Sequence, residues 1–251
     1  MLRSEEVARL EEAIIATIAA PVIGSIEDYS WEAIFHYVKK IPLIDPALGR
    51  SKRLHDAVDS KTKTGWSLKT LQLSTLALGT PVLFIIQRAD VIKKANSLGF
   101  PGLTEKSPLA DIGAAIIKHW NEKLETDRSI QGVTNSYEGV LFKTRKGVEY
   151  VYAEYPLNPL DPTAFSWNWT LDKKSGKDGA GLQGSRGGKT ALVWYKNQKQ
   201  LFKVQTIPSQ AVRVTIKRER LTPKQYVKTI LAALREKHSS VLPDEEDETA
   251  E

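Results

Sequence analysis

The chain has 251 residues, 41% of them hydrophobic and 26% charged, with a formal net charge of +6 and no cysteine. That balance excludes collagen-like, mucin-like and wholly disordered chains, and the missing thiols exclude disulfides, thiolate zinc sites and a cysteine nucleophile. No apolar run approaches the roughly 20 residues of a membrane-spanning helix, and MLRSEEVARLEE carries acids where a secretion signal is basic and then apolar, so a soluble, cytoplasmic protein with no membrane partner is expected.

Residues 4–19 (SEEVARLEEAIIATIA) predict a helix with acids in its first turn, where the macrodipole favours them, ended by Pro21 and Gly24. A second helix is expected from about Ser30 to Lys40, with Ile34, Val38 and Ile41 on one stripe and Pro42 closing it. Residues 53–59 and 65–72 read as an antiparallel hairpin around the polar turn SKTKTG, and the apolar run 82–87 (VLFIIQ) as a buried strand. A short helix is predicted over 89–98. A longer one starts at Ser107-Pro108 and runs to about Arg128, with Ile112, Ile116 and Trp120 facing inward.

From 137 the hydrophobic period becomes two. YEGVLFKTR and VEYVYAEY flank Lys146-Gly147 as a hairpin, and 190–195, 200–207 and 211–218 read as further strands before a last helix at 223–237. FSWNWT sets Phe165, Trp167 and Trp169 on one face; these, with Trp194 and Tyr195, are expected to build a core, whereas exposed Trp167 and Trp169 would point to stacking on single-stranded bases. The expected class is α+β. Residues 1–130 are expected to form a core with N-terminal helices, 131–243 a β-rich basic half packed with it as one unit, and 244–251 a disordered acidic tail.

The net charge conceals an asymmetry. The last eight residues, DEEDETAE, hold six of the 30 acids, which leaves 36 bases against 24 acids in the rest of the chain. No Asp or Glu occurs between Gly179 and Arg218, while Lys and Arg recur throughout. Scattered carboxylates would repel a polyanion, so an acid-free basic stretch suits nucleic acid; a solvated basic face without a partner is the alternative.

Two glycine motifs are declined. Gly179-Ala180-Gly181-Leu182-Gln183-Gly184 spells GxGxxG, but a dinucleotide site needs a strand before it and a helix after it, and here loop precedes and strand follows. Gly188-Lys189-Thr190 ends like a phosphate-binding loop with no helix behind it. A flexible basic loop is expected instead. His36, His55, His119 and His238 show no ligand spacing and read as structural or surface residues, and no GxSxG elbow supports a serine hydrolase.

The informative stretch is RLHDAVDSKTKTGWSLKT (53–70). A strand pleats with period two, so Ser67 and Lys69 share a face, and Asp56 on the partner strand can join them. Oxygen ligands for magnesium and a lysine that orients or activates water are what metal-assisted phosphodiester hydrolysis needs.

This segment resembles the PD-(D/E)xK nuclease superfamily, the fold of most type II restriction endonucleases. The resemblance implies a restriction-endonuclease-like core: a helix, a hairpin with an aspartate on one strand and acid-x-lysine on the next, then a further helix and strand. It makes Asp56 the aspartate, Lys69 the lysine, the Leu68 backbone carbonyl an added metal ligand and Glu32 the glutamate of the preceding helix. Ser67 departs from the pattern, standing where the acid belongs. Some members with serine there bring the acid from a later helix, for which Glu105, Asp111 and Glu122 are candidates.

The expected function is a magnesium-dependent DNA endonuclease of restriction type, with manganese as a possible substitute, acting on double-stranded DNA as a homodimer. Lys173, Lys174, Lys177, Arg186, Lys189, Lys196, Lys199 and Lys203 would grip phosphates. Gln183, Asn197, Gln198 and Gln200 could read adenine edges and Arg186 a guanine. The alternatives are a non-catalytic nucleic-acid-binding protein whose hairpin is only structural, and a scaffold whose basic face meets an acidic protein.

Overall fold

Leu10, Ile14 and Ile18 fall at every fourth position and are buried along one face of α1 (Ser4–Ala19). Each such side chain contributes about 1.5–3 kcal/mol when fully removed from water. Trp31, Ile34, Phe35 and Val38 form the matching face of α2 (Asp28–Lys39), which ends at Lys40 in the left-handed region (φ 54°). The computed structural model describes residues 1–21, 23, 25–43, 53–171, 178–217 and 219–237, which form four α-helices and ten strands, an α+β architecture. Lys173, Lys174, Lys177, His238 and the acidic tail lie outside the described residues. No described helix is long and apolar enough to cross a membrane.

The two N-terminal helices cover one face of a five-stranded sheet ordered β1 (Ala57–Asp59), β2 (Thr64–Leu73), β4 (Asn135–Thr144), β5 (Glu149–Pro156) and β10 (Val212–Thr215). All its pairings are antiparallel except β2 with β4, which run parallel over ten register pairs. A parallel neighbour cannot be reached by a tight turn, and α3 (Leu109–Gln131) lies in the connection. The central strands are buried on both faces: Leu141, Tyr150 and Tyr152 face α1 and α2, while Val140, Phe142 and Val151 face the opposite way.

That opposite face packs against α3 and a second sheet, ordered β3 (Pro81–Arg88), β9 (Gln200–Thr206), β8 (Lys189–Tyr195), β7 (Asp178–Arg186) and β6 (Ser166–Leu171), antiparallel throughout. Both sheets draw strands from either side of residue 130. The last helix, α4 (Pro223–Lys237), has no buried residue and is tethered just before its start by the Leu221 N–H donating to Ala19 O at 2.9 Å.

Three sequence expectations are corrected. Residues 89–98 form successive turns and not a helix. The run 82–87 is an edge strand, so Val82 and Phe84 point inward while Ile85 is 39% exposed. The glycine-rich segment is no loop: 178–186 is β7. Its glycines make room for the neighbouring strand. A Cβ on Gly179 would lie 2.5 Å from Thr170 Oγ1, and one on Gly184 would lie 2.8 Å from the Trp167 ring.

Trp167 is wedged from the other side as well, since a Cβ on Gly113 of α3 would overlap its indole. The indole thus seats α3 on the second sheet. We expect Gly113→Ala to destabilise the protein by about 1–3 kcal/mol through overpacking, read as a lower midpoint in urea unfolding; an unchanged midpoint would remove Trp167 as the spacer between the two layers.

Candidate active site

Strand β1 is only 3 residues long, so the edge of β2 runs on beyond it without a strand partner. Carboxylates take over the exposed backbone donors. Asp56 Oδ2 accepts the Leu68 N–H at 2.7 Å, and Asp28 Oδ1, from the first turn of α2, accepts the Thr70 N–H and hydroxyl, both at 2.8 Å. Asp56 is itself anchored, its N–H donating to Trp66 O at 2.8 Å. The Lys69 side chain folds back over this edge. Its Nζ lies 3.0 Å from the Leu68 carbonyl oxygen, 3.2 Å from Ser67 Oγ and 3.9 Å from Asp56 Oδ2. The sequence-predicted trio of Asp56, Ser67 and Lys69 therefore converges, with the Leu68 carbonyl among them.

These residues line one wall of a cleft of about 560 Å³. The facing wall comes from β3, the turns after it and α3: Gln87, Arg88, Lys94, His119, Glu122 and Lys123. A β-bulge between Ile85 and Gln87 turns consecutive residues Ile86 and Gln87 inward, which brings an amide into the cleft from a strand that otherwise alternates. Asp127, 2% exposed in its side chain, is balanced by Lys123 and by Arg53 at 3.9 Å, and accepts the Leu54 N–H at 2.8 Å.

Of the three later acids, Glu122 lines the cleft, Glu105 pairs with Lys196 at 3.0 Å outside it, and Asp111 lies in the exposed first turn of α3. Glu32 stands on α2, which covers the opposite face of the sheet, and does not line the cleft. Among the described residues no three histidine, aspartate or glutamate side chains gather as a ready-made metal site.

Among the described residues, His119 is the one histidine that enters the cleft. Burial, with the Lys94 and Lys123 ammoniums nearby, holds its pKa down at about 4. Lys94 Nζ can only donate, and it lies 2.9 Å from Nε2, so the ring proton is on Nδ1. Nδ1 faces the Gln87 amide, and a protonated Nδ1 requires the amide oxygen there; that orientation also gives a partner to Gln87 Oε1, otherwise buried and unpaired. His55 and His36 are structural: His55 bridges Gln131 Oε1 (2.9 Å) and Ser136 Oγ (3.0 Å), and His36 Nε2 contacts the Asp56 carbonyl at 3.2 Å.

The residues expected to hold nucleic acid are dispersed over the second sheet. Arg186 and Lys189 flank the β7–β8 turn, while Lys196, Asn197 and Lys199 occupy the β8–β9 turn at the other end of a seven-residue strand, about 20 Å away. Lys196 also stands 5.1 Å over the Trp169 ring and Lys199 pairs with Asp90 at 2.8 Å. Gln183 is half-buried on β7, on the face away from its buried neighbour Leu182. Lys203 occupies an inward position of β9, in register with Leu192 and Phe84, where burial lowers its pKa and the charge of Glu138 opposes the shift.

Glu138 was not among the sequence candidates. It sits on β4, is 1% exposed, and is the register partner of Ser67. Burial pushes its pKa up to about 7 against the opposing pull of Lys203 and Lys69. Because the folded value exceeds the ordinary 4.5, Glu138 makes folding progressively less favourable as pH rises from 4.5 to about 7.

Two measurements follow from these charges. Nitrogen NMR at about pH 6 should find His119 as the neutral Nδ1–H tautomer, where an unperturbed histidine titrates; an imidazolium signal would overturn the assignment. The thermal midpoint of Glu138→Gln should gain on the wild type by a few degrees between mildly acidic and mildly alkaline pH, and parallel pH curves would show that Glu138 does not titrate there.

No protein-family model, curated protein or solved structure matches this chain significantly.

Proposed function

We propose that the chain is a metal-dependent DNA endonuclease of restriction type, built on a PD-(D/E)xK-like core. The observation that carries this reading is the Lys69 ammonium held among the oxygens of Asp56, Ser67 and Leu68 at the wall of a cleft. Apart from β3, which joins the second sheet, the order α2, β1, β2, α3, β4, with β4 returning parallel to β2, supports the element order that the resemblance implies.

The donor set fits magnesium. That ion is commonly held by one or two carboxylates, with water and substrate phosphate completing its shell, and here Asp56 and the Leu68 carbonyl would hold it, with Glu122 the acid of the later helix on the facing wall. Bound there, it would polarise a phosphoryl oxygen and lower the pKa of water; manganese would serve in its place. The protein's own residues do the rest. Lys69 orients the attacking water, Ser67 keeps the lysine in place, and Arg53, Arg88, Lys94 and Lys123 give the cleft a cationic rim for phosphates. Glu32 has no part in this reading. Cutting both strands of duplex DNA requires two such sites, hence a homodimer.

The test is a long duplex incubated at low salt with magnesium or with EDTA. Discrete fragments with magnesium alone are expected, and Asp56→Ala and Lys69→Ala should each lower the cleavage rate by about 10²–10⁴-fold while leaving DNA binding nearly unchanged. Lys69→Ala should also keep the unfolding midpoint, whereas Asp56→Ala, which strips the Leu68 N–H of its acceptor, should lower stability by about 1–3 kcal/mol. Variants that cut at the wild-type rate would sink the assignment. The single acid beside Lys69 favours a second reading, a nucleic-acid-binding protein with no activity. It requires a salt-dependent shift of uncut DNA under the same conditions.

A further inference from the structure

The acid that the Ser67 position lacks has a counterpart on the next strand. In the parallel ladder Ser67 is paired with Glu138 and Leu68 with Gly139, so the side chains of Ser67 and Glu138 emerge on the same face of neighbouring strands about 4.8 Å apart. The next positions of that face of β4, Val140 and Phe142, are apolar and fully buried. A carboxylate at this point is opposed to what strand packing asks for. One of its oxygens, Oε2, is buried without a hydrogen-bond partner. The cations that act on it are Lys69 on one side and Lys203, from the second sheet, on the other. Tyr155, its register partner on β5, gives its hydroxyl hydrogen to Thr206 O at 3.1 Å and leaves the carboxylate unsatisfied.

We propose that Glu138 is a positioning residue: from β4 its ionised carboxylate supplies the negative charge missing at Ser67 and thereby holds the Lys69 side chain folded over the Asp56–Leu68 edge. The inference rests on the nuclease reading for its consequence in catalysis, though not for the placement of Lys69. Glu138 does not touch substrate in this scheme, since it is sealed behind Ser67; it acts through the lysine.

The test relocates the acid. In the full chain, Glu138→Gln should lower the cleavage rate by about a hundredfold with DNA affinity in EDTA changed less than about twofold, and adding Ser67→Glu or the smaller Ser67→Asp should recover at least about tenfold of the loss. Glu138→Asp, which keeps the charge, should retain most of the activity. In parallel, a crystal structure of Glu138→Gln should show the Lys69 ammonium moved away from the Leu68 carbonyl, and back beside it when the acid is restored at 67. A folded Glu138→Gln protein with wild-type cleavage and an unmoved Lys69 ammonium would overturn the proposal, as would a loss that neither Ser67 variant recovers. If the wild type fails to cut, or Lys69→Ala cuts normally, the nuclease reading falls; the placement of the Lys69 ammonium in Glu138→Gln then decides the role of Glu138 by itself.

Discussion

The parallel pairing of β2 with β4 is the constraint on which the site depends. Because the two strands run in the same direction, the chain must leave the sheet, cross over and return, and α3 occupies that crossover. Three consequences follow from one pairing. The helix becomes the facing wall of the cleft and brings His119, Glu122 and Lys123 opposite β2. The ladder sets Glu138 beside Ser67. And β2 is left with a single full-length neighbour, because β1 covers only its first few residues, so the backbone of Leu68 and Thr70 must find other partners.

Those other partners give the edge its chemical character. A free strand edge invites pairing with another chain, and here two aspartates occupy it in place of a strand. The same hydrogen bonds that protect the edge fix Asp56 where its bonded oxygen, Oδ2, and the Leu68 carbonyl stand 3.9 Å and 3.0 Å from the Lys69 ammonium. At Asp56 structural and chemical roles are thus carried by the same atom, and its substitution acts on both.

Much of this was legible in local spacing. The limits of α1 and α4, the inward set Ile112, Ile116 and Trp120, and the convergence of Asp56, Ser67 and Lys69 all follow from periods of 3.6 and two read within a few residues. What escaped was fixed by partners far away in the chain. Gly179 and Gly184 read as loop because glycine has little strand propensity, and their reason for being in a strand, Thr170 and Trp167, lies on the neighbouring strand. Lys203 read as surface because the charge that admits a lysine to an inward position is Glu138. Gln87 entered the cleft through a bulge that no alternation pattern announces.

The way the two sheets share the chain also dictates an order of assembly. Strand β3 emerges between β2 and α3, yet its sheet partner is β9, whose pairing joins Pro81 with Thr206 and Arg88 with Gln200. The first sheet can pair β1, β2, β4 and β5 from contiguous sequence and lacks only β10 until the end. During synthesis β3 therefore stays unpaired while more than half of the later chain is made, a condition in which transient exposure of an apolar strand invites misassociation. The short connections from β7 to β8 and from β8 to β9 then matter kinetically: those three strands can close quickly once translated and offer β9 as a prepared partner for the waiting strand.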